Sequence, residues 1–392
     1  MILLDEPAVQ RIDEVWRRFV DQGRIVGGVL LLAQHGQLRY ASARGWADRE
    51  QQMPVSRDTR FRLASLTKLL TSVTVLRLCE VGVLNLNAAV TDWLPAFRPR
   101  LAGGREPVIT LQQLLSHTAG LSYGFERMPD NAYERGGVSD GLDCVAFGLQ
   151  ENLRRLAGLP LLFEPGSAWG YSLATDVLGA VIEQATGLAL SEAIARMVTG
   201  PLRMSATSFR PMQGLPLASA YKDSAGSPQR IGDSDVLMLD SGRARLSSAR
   251  AYDASAYQSG GAGLLGTADD YLSLLECLRL GGAPVLSPAS TRRLLSNAIG
   301  QTLVAARGPG WKFGLGPMIL TDPSAAGQRQ GAGSWSWCGL YGNHYWVDPV
   351  SAISLVAMTN TATTGAWGEF AESMVDAIYI RSGRTACGNC SG

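Results

Sequence analysis

Strand-like segments occur near both ends of this 392-residue chain, and the stretch between them is mostly helix-like. A hairpin with its turn at His35-Gly36 is predicted near the N-terminus, over residues 27–34 and 37–44. Three more strands are predicted near the C-terminus, over residues 334–340, 343–347 and 352–359. Strands this far apart in sequence share a sheet only if the two ends of the chain meet. The pattern therefore predicts an α+β fold, with one antiparallel sheet flanked by helices and an inserted helical lobe.

The same pattern gives an expected division of the chain. The flanking helices are predicted over residues 8–22 and 366–380, and most of the other helices between the two groups of strands. The expected regions are a sheet lobe (about 1–60 and 259–380), a helical lobe (about 65–258) and a tail (382–392). A ligand is expected in a cleft between the lobes. The small, polar segment 218–257 has no clear pattern and is expected to be a long loop over that cleft.

Charge and composition exclude several classes of function. Lysine and arginine total 35 and aspartate and glutamate 34, so the net charge is +1 and gives no strong field for nucleic acid or an anionic membrane. No apolar run reaches the length of a membrane span, and the first residues lack the pattern of a signal peptide. We therefore expect a cytoplasmic protein, or a mature form from which a leader has been removed.

The cysteines do not form a pattern typical of a metal site. Four of the six occur singly and are expected to be free thiols: Cys79, Cys144, Cys277 and Cys338. Cys387 and Cys390 form a C-x-x-C pair in the tail, which could bind metal or act in redox chemistry but has no second pair to complete a zinc site. We expect a frayed tail, and neither metal nor cofactor.

Ser65 and Lys68 lie three positions apart at the start of an apolar, helix-like run over residues 69–78. Residues at i and i+3 share one face of a helix, so a serine nucleophile and a lysine base would be neighbours. Burial disfavours the ammonium form and would let Lys68 take the serine proton. The spacing is also common by chance in solvated surface pairs, but a lysine that opens a buried helix needs a reason to be there. The Ser65 N–H at a helix N-terminus would suit an oxyanion.

Two later segments offer further polar groups for the same chemistry. Tyr171 lies in a glycine-containing loop before a helix predicted over residues 174–185, and a nearby cation would favour its phenolate form as a base. The alternative is a half-buried packing tyrosine. Residues 335–342 predict a strand whose glycines allow close approach of a ligand, with the Leu340 N–H as a second oxyanion donor. The alternative is a core strand that bends at its glycines.

Two other motifs are expected to be structural. Residues 259–270 form a glycine-rich turn before a helix, but they lack the lysine of a phosphate-binding loop, so we expect tight packing near the site. Residues 137–141 match the G-x-S-x-G nucleophile elbow, yet the preceding residues are loop-like and only His344 follows Ser139. We interpret this match as chance, and His117 and His344 as hydrogen-bonded structural residues.

Three motifs follow one another along the chain: Ser65-x-x-Lys68, Tyr171-Ser-Leu173 and Trp337-Cys-Gly339. In this order and spacing they resemble those of the serine β-lactamase and penicillin-binding-protein superfamily, and more closely those of the family VIII carboxylesterases. The resemblance extends from about residue 24 to residue 380 and includes residues 115–121 and 308–314. It implies a single β-lactamase-like catalytic unit over the whole chain.

The resemblance also implies roles for individual residues. Ser65 would be the nucleophile, Lys68 and Tyr171 the base pair, and the amides of Ser65 and Leu340 the oxyanion hole. The residues expected to bind substrate are Trp337, Cys338, Gly339, Leu173 and Tyr133. Because this is chemistry of side chains and amides, no cofactor is implied, and the expected partner is a small ester.

Two departures from the lactamase pattern concern the substrate. Leu173 replaces an asparagine, and Trp337 and Cys338 replace the lysine and threonine that hold a β-lactam carboxylate. The Glu-x-x-Leu-Asn deacylation motif of class A lactamases is also missing from the sequence. We therefore expect hydrolysis of short-chain or small acyl esters through an acyl-enzyme on Ser65. Acyl transfer to an alcohol or amine is the alternative, and a weak β-lactamase or a non-enzymatic penicillin-binding-like module is a second one.

Overall fold

The computed structural model describes residues 4–126, 132–305 and 307–379. The α-helices are α1 (Glu6–Asp21), α2 (Thr67–Glu80), α3 (Leu111–Leu115), α4 (Ala132–Arg135), α5 (Leu149–Ala157), α6 (Ala174–Thr186), α7 (Leu190–Ile194), α8 (Ala268–Arg279), α9 (Pro288–Leu294) and α10 (Glu369–Tyr379). The strands are β1 (Gly27–Gln34), β2 (Gln37–Asp48), β3 (Met53–Pro54), β4 (Phe61–Arg62), β5 (Tyr221–Lys222), β6 (Gln229–Arg230), β7 (Asp235–Leu239), β8 (Gly242–Leu246), β9 (Leu265–Gly266), β10 (Trp311–Phe313), β11 (Met318–Leu320), β12 (Ser334–Gly339), β13 (Asn343–Asp348), β14 (Ile353–Thr359) and β15 (Thr361–Ala362).

One antiparallel sheet of eight strands joins the two ends of the chain, in the order β10-β11-β12-β13-β14-β1-β2-β3. Its central junction pairs β1 with β14, and Gly28 lies opposite Thr359. The predicted α+β class is thus confirmed. All strands of this sheet lie within residues 27–54 and 311–359.

Strand β1 is buried along its whole length because the sheet is covered on both faces. Leu30 and Leu32 pack in a core with residues of α1 and α10. The alternate residues Val29 and Leu31 belong to the larger core, which is shared with the inserted helices. Side chains of a strand alternate between faces, so this one strand contributes to both cores.

The terminal helices confirm the sequence prediction to within three residues. Helix α1 begins after Asp5, whose side chain accepts a hydrogen bond from the Ala8 N–H at 2.9 Å. Helix α10 ends the described chain at Tyr379. Ile380 and the predicted tail, with Cys387 and Cys390, lie outside the described residues.

The prediction of a long loop over residues 218–257 is wrong in part. The segment contains four short strands, and β7 and β8 form a hairpin in which the buried Leu237 lies opposite the buried Ala244. Each strand of this hairpin has few inward side chains, so the alternation was too short to predict it.

No single helix among residues 4–126, 132–305 and 307–379 is long and apolar enough to cross a membrane. One pair of helices, over residues 174–186 and 190–199, meets that test together but is bent by 83° between its two parts.

Candidate active site

Ser65 lies on a tight turn between the sheet and the inserted helices. The turn is a 3₁₀-helix over Ala64–Leu66 that leads directly into α2. Ala64 has a φ of 45°, an uncommon conformation for a residue with a side chain, which costs on the order of 1–3 kcal/mol. A Cβ at Gly339 would lie 2.4 Å from the carbonyl oxygen of Leu63, so only glycine lets β12 pass this close to the turn.

The three side chains predicted for the chemistry meet at the hydroxyl of Ser65. The Tyr171 hydroxyl donates to Ser65 Oγ at 2.6 Å, and Lys68 Nζ lies 3.4 Å from the same oxygen. Lys68 Nζ also lies 4.7 Å from the centre of the Tyr171 ring. A nucleophile within reach of two proton-transfer groups is the arrangement that activates a serine.

Burial sets the protonation state of Lys68. Its side chain is 2% exposed, and burial lowers its pKa to about 7, against the opposing effect of the nearby Asp176 carboxylate. Lys68 Nζ donates to the carbonyl oxygen of Gly261 at 2.8 Å. A Cβ at Gly261 would lie 2.7 Å from an Asp176 oxygen and 3.4 Å from Lys68 Nζ. The glycine-rich turn is therefore packed tightly against the lysine, as predicted.

Tyr171 is held in place by the loop that precedes its helix. The N–H of Gly170 donates to the His117 carbonyl at 2.9 Å, and the N–H of Leu173 donates to the Ser122 carbonyl at 3.2 Å. The indole Nε1 of Trp337 donates to the Tyr171 hydroxyl at 3.3 Å. These contacts fix the phenol oxygen beside Ser65.

The expectation that Tyr171 is drawn toward its phenolate form is wrong. Burial raises its pKa well above the usual value, and the hydrogen bonds with Ser65 and Trp337 only partly oppose this. Between Tyr171 and Lys68, the lysine is the group whose pKa lies close to neutrality. Lys68 is therefore the stronger candidate for the base, and Tyr171 stays protonated beside it.

A cleft of about 600 Å³ opens in front of Ser65, a volume typical of small-molecule sites. Among its lining residues are the predicted Tyr171, Trp337, Cys338 and Leu340. The hairpin turn between β7 and β8 also lines it, through residues 238–241. Part of the segment predicted to cover the site therefore does so.

Three predicted substrate-binding residues do not line this cleft. Tyr133 is 1% exposed, and its hydroxyl accepts a hydrogen bond from the Ser122 N–H at 2.9 Å, so it is a core residue. Leu173 is 0% exposed at the start of α6. Gly339 is buried against Leu63. For Tyr133 and Leu173 the reason is that both side chains point into the helical core.

Several lining residues were missed from the sequence. Tyr123 lies with its ring 5.1 Å from Lys68 Nζ and 5.0 Å from the Tyr171 ring. It lies two residues after the stretch 115–121 that resembles the family, so extending that motif could have found it. The charged lining residues missed are Glu126, Asp140, Asp240, Arg307 and Glu372. These are single side chains from separate loops and helices, and no spacing in the sequence connects them.

Ser139 does not lie in the cleft. It is 1% exposed, its hydroxyl donates to Asp143, and it accepts from the Gly141 N–H at 3.1 Å. His344 is buried and bonded to the Gly365 carbonyl at 2.8 Å. His117 is buried with its Nδ1 3.1 Å from Ser172 Oγ, and burial holds its pKa well below the usual value. The elbow match is therefore a local loop structure, and both histidines are hydrogen-bonded as predicted.

The described residues contain no group of three or more histidine, cysteine, aspartate or glutamate side chains that could hold a metal ion. The functional groups gathered at the cleft are a hydroxyl, an amine with a lowered pKa and a phenol. Together with the fold, these groups are typical of a serine hydrolase with a Ser-x-x-Lys motif.

Comparison with known proteins gives the family. The model of the Beta-lactamase family matches residues 12–372, and the chain belongs to this family. It is 44% identical over 376 residues to Esterase EstB of Burkholderia gladioli, and the aligned region covers 95% of each chain.

Two solved structures place the fold among its neighbours. The structure of EstCE1, a hydrolase with promiscuous acyltransferase activity, matches with a TM-score of 0.92 and 42% identity over 96% of this chain and 99% of that one. Simvastatin synthase (LovD) from Aspergillus terreus matches with a TM-score of 0.75 and 22% identity over 96% of this chain and 98% of that one. The second likeness concerns the fold alone.

Proposed function

We propose that this protein is a carboxylesterase that hydrolyses short-chain or small acyl esters through an acyl-enzyme on Ser65. The observation that carries the proposal is the position of Ser65 Oγ on the cleft wall, 2.6 Å from the Tyr171 hydroxyl and 3.4 Å from Lys68 Nζ. The similarity to an esterase over nearly the whole chain supports it. A small ester as the partner and a cytoplasmic location remain part of the proposal.

In the first step, neutral Lys68 takes the proton of Ser65 while Oγ attacks the ester carbonyl carbon. The lowered pKa of about 7 provides the neutral amine near physiological pH. Tyr171 keeps its proton because its pKa is raised, and its hydrogen bond orients Oγ. The amides of Ser65 and Leu340, two residues that line the cleft, would donate to the oxygen that becomes negative.

The tetrahedral intermediate then collapses and the carbon–oxygen bond to the alcohol breaks. The alcohol oxygen takes a proton from Tyr171, and the lysine ammonium returns one to the phenol oxygen. Water repeats the sequence in the second step: it loses a proton to Lys68 and attacks the acyl carbon, and Ser65 Oγ leaves with a proton. Each step thus returns the lysine and the tyrosine to their starting forms.

The lining of the cleft favours uncharged substrates. Trp337 and Leu340 give it apolar walls, and its acidic side chains outnumber the basic one: Glu126, Asp140, Asp240 and Glu372 against Arg307. Burial raises the pKa of Asp140 to about 7 and also raises that of Glu126, so not all four carboxyls are ionised near neutrality. A carboxylate on the substrate would still meet a single cationic side chain, Arg307, among the described lining residues. An ester without a carboxylate needs no cationic partner in the cleft, so its binding is not weakened there.

We expect ready hydrolysis of short-chain p-nitrophenyl esters and weak or no turnover of benzylpenicillin and cephalosporins. Two charge-assisted hydrogen bonds missing from a carboxylate site cost about 3–6 kcal/mol, or roughly two to four powers of ten in kcat/KM. The measurement compares kcat/KM for a p-nitrophenyl ester and for nitrocefin. Similar values of kcat/KM for the two substrates would contradict the prediction. In that case, an Arg307→Met variant that loses only the nitrocefin activity would show that Arg307 binds the carboxylate of the β-lactam.

The pH dependence of kcat/KM should follow the ionisation of Lys68. The lysine acts as a base only when it is neutral, so activity should rise about tenfold per pH unit below about pH 7 and level off above it. The measurement is kcat/KM from about pH 5 to about pH 9, with circular dichroism at each pH to confirm folding. A flat profile, or a rise that continues to about pH 9 without levelling off, as the ordinary lysine value of 10.5 would give, would contradict the assignment of the base.

A second candidate function is acyl transfer to an alcohol or amine. It is favoured by the similarity to EstCE1, which is described as a hydrolase with promiscuous acyltransferase activity. Both functions share the acyl-enzyme and differ only in what attacks it. Product analysis with a vinyl ester, water and a competing primary alcohol measures the partition between free acid and new ester. Free acid as the main product in dilute alcohol supports the esterase, and new ester as the main product assigns the transferase.

A further inference from the structure

A small cavity behind the active-site cleft contains three arginines. Its volume is about 30 Å³, and its charged lining residues are Arg62, Arg210 and Arg250. The lining includes no aspartate or glutamate among the residues that the structure describes. Leu142 and Ala262 line both this cavity and the cleft, so the two spaces share a wall.

Two of these guanidinium groups are almost fully enclosed. Arg62 and Arg250 are each 8% exposed, and Arg210 is partly buried. Arg62 donates to the carbonyls of Ala218 and Ser248 at 2.7 and 2.8 Å. Its Nε is buried without a hydrogen-bond partner. A buried charged donor without a partner is unfavourable, because it has lost its hydrogen bonds to water and no protein acceptor replaces them.

The other two arginines are also bonded to backbone carbonyls. Arg250 donates to the carbonyls of Asp143 and Tyr257 at 2.7 and 2.8 Å. Arg210 donates to the carbonyl of Ala256 at 2.6 Å. None of the three arginines forms an ion pair within the described part of the chain. The ion pairs that other arginines form there lie mainly on the surface.

Like charges in this cluster act on one another. Burial lowers the pKa of Arg210, and the nearby Arg250 lowers it further. Burial also lowers the pKa of Arg62. The carboxylates of Asp253 and Asp176 act on Arg210 and Arg250 from beyond ion-pair distance. Carbonyl oxygens supply partial charge only, so the positive charge of the cluster is only partly compensated by the described residues.

We propose that this cavity, between Arg62, Arg210 and Arg250, is a binding site for one small inorganic anion of the size of chloride. The volume is enough for one or two water-sized spheres, which admits a monatomic anion but not a larger organic acid. The ligand chemistry is that of a halide held by guanidinium N–H groups, with the hydroxyl-bearing Ser247 and Tyr341 also in the lining. The site does not depend on the esterase proposal.

The first test is thermal unfolding of the full chain in halide-free buffer, titrated with sodium chloride or with sodium gluconate at equal ionic strength. A ligand that binds only the folded state raises Tm with concentration according to its Kd. We expect chloride and bromide to raise Tm in this way and gluconate, which is too large for the cavity, to have no such effect. Equal responses to chloride and gluconate would overturn the proposal.

Variants locate the effect. Arg62→Met should weaken the chloride affinity read from the Tm titration at least about tenfold, and Arg210→Met should do the same if the first variant fails to fold. Arg307→Met is the matched control, because it removes the cation of the neighbouring cleft and should keep the response. The assignment would be overturned if Arg210→Met and any folded Arg62→Met kept the full rise of Tm with chloride. It would also be overturned if Arg307→Met lost that rise.

Crystals soaked in sodium bromide give a direct reading. We expect an anomalous-difference peak between the three guanidinium groups. Water alone in the cavity, at a bromide concentration that saturates the Tm response, would overturn the proposal.

Discussion

Ser65→Ala should lower kcat/KM for a short-chain p-nitrophenyl ester by roughly ten-thousandfold or more. The hydroxyl lost in this variant is the one oxygen that both Tyr171 and Lys68 approach. Without it no acyl-enzyme can form, and only binding and the oxyanion donors remain. The fold should be unchanged, because the side chain is small and partly exposed to the cleft.

Ser139→Ala is the matched control, since this serine sits in the competing G-x-S-x-G motif. It is 1% exposed and bonded to Asp143 away from the cleft, so the variant should keep its activity while losing about 1 kcal/mol of stability. Both variants are assayed for kcat/KM, and their Tm values show whether each is folded. An inactive but folded Ser139→Ala beside an active Ser65→Ala would reverse the assignment of the nucleophile.

Lys68→Met and Tyr171→Phe should each lower kcat by roughly 10²–10⁴-fold, and the double variant should be little worse than the poorer single variant. The reason is that the two groups serve one proton-transfer path through Ser65 Oγ. Methionine suits the buried position of Lys68, and phenylalanine keeps the ring of Tyr171 among its aromatic neighbours. The measurement is a double-mutant cycle on kcat.

Two controls match these substitutions away from the cleft. Lys312→Met removes a lysine bonded to the Thr302 carbonyl, and Tyr221→Phe removes a hydroxyl bonded to Glu50. Both controls should retain kcat. Losses that multiply in the double variant, or full activity in Tyr171→Phe, would show that the two residues act independently or that the tyrosine is dispensable.

The central sheet could be predicted because its strands are marked by local pattern. Strand β1 was predicted with its observed bounds, since residues 27–33 carry no polar side chain and the segment ends at the His35-Gly36 turn. The strand order could not be worked out in the same way. Pairing β1 with β14 depends on contacts between residues more than 300 positions apart, and the outer strands β3, β10 and β11 have only two or three residues each.

The reactive residues of the site could be predicted because they occur in spaced motifs. Ser65, Lys68 and Tyr171 do meet in space, as their motifs predicted. The protonation states could not be inferred from the motifs. Whether a phenol or an amine titrates near neutrality depends on burial, and burial raises the pKa of Tyr171 while it lowers that of Lys68.

The residues that surround the substrate were harder to predict. Tyr133 was expected there and lies in the core, whereas Tyr123 lines the cleft ten residues earlier in the chain. Arg307 and Asp140 reach the cleft from loops with no regular spacing to the motifs. Which side of a loop faces a cleft depends on tertiary packing, and no local sequence pattern predicts it.

The acyl-enzyme itself can be detected. The protein is mixed with a slowly deacylating ester, quenched in acid, digested and examined by mass spectrometry. The account predicts one acyl group on the peptide that contains Ser65, and none on the same peptide of Ser65→Ala. An acyl group on the peptide that contains Ser139, or turnover of the ester with no covalent adduct at any time, would contradict it.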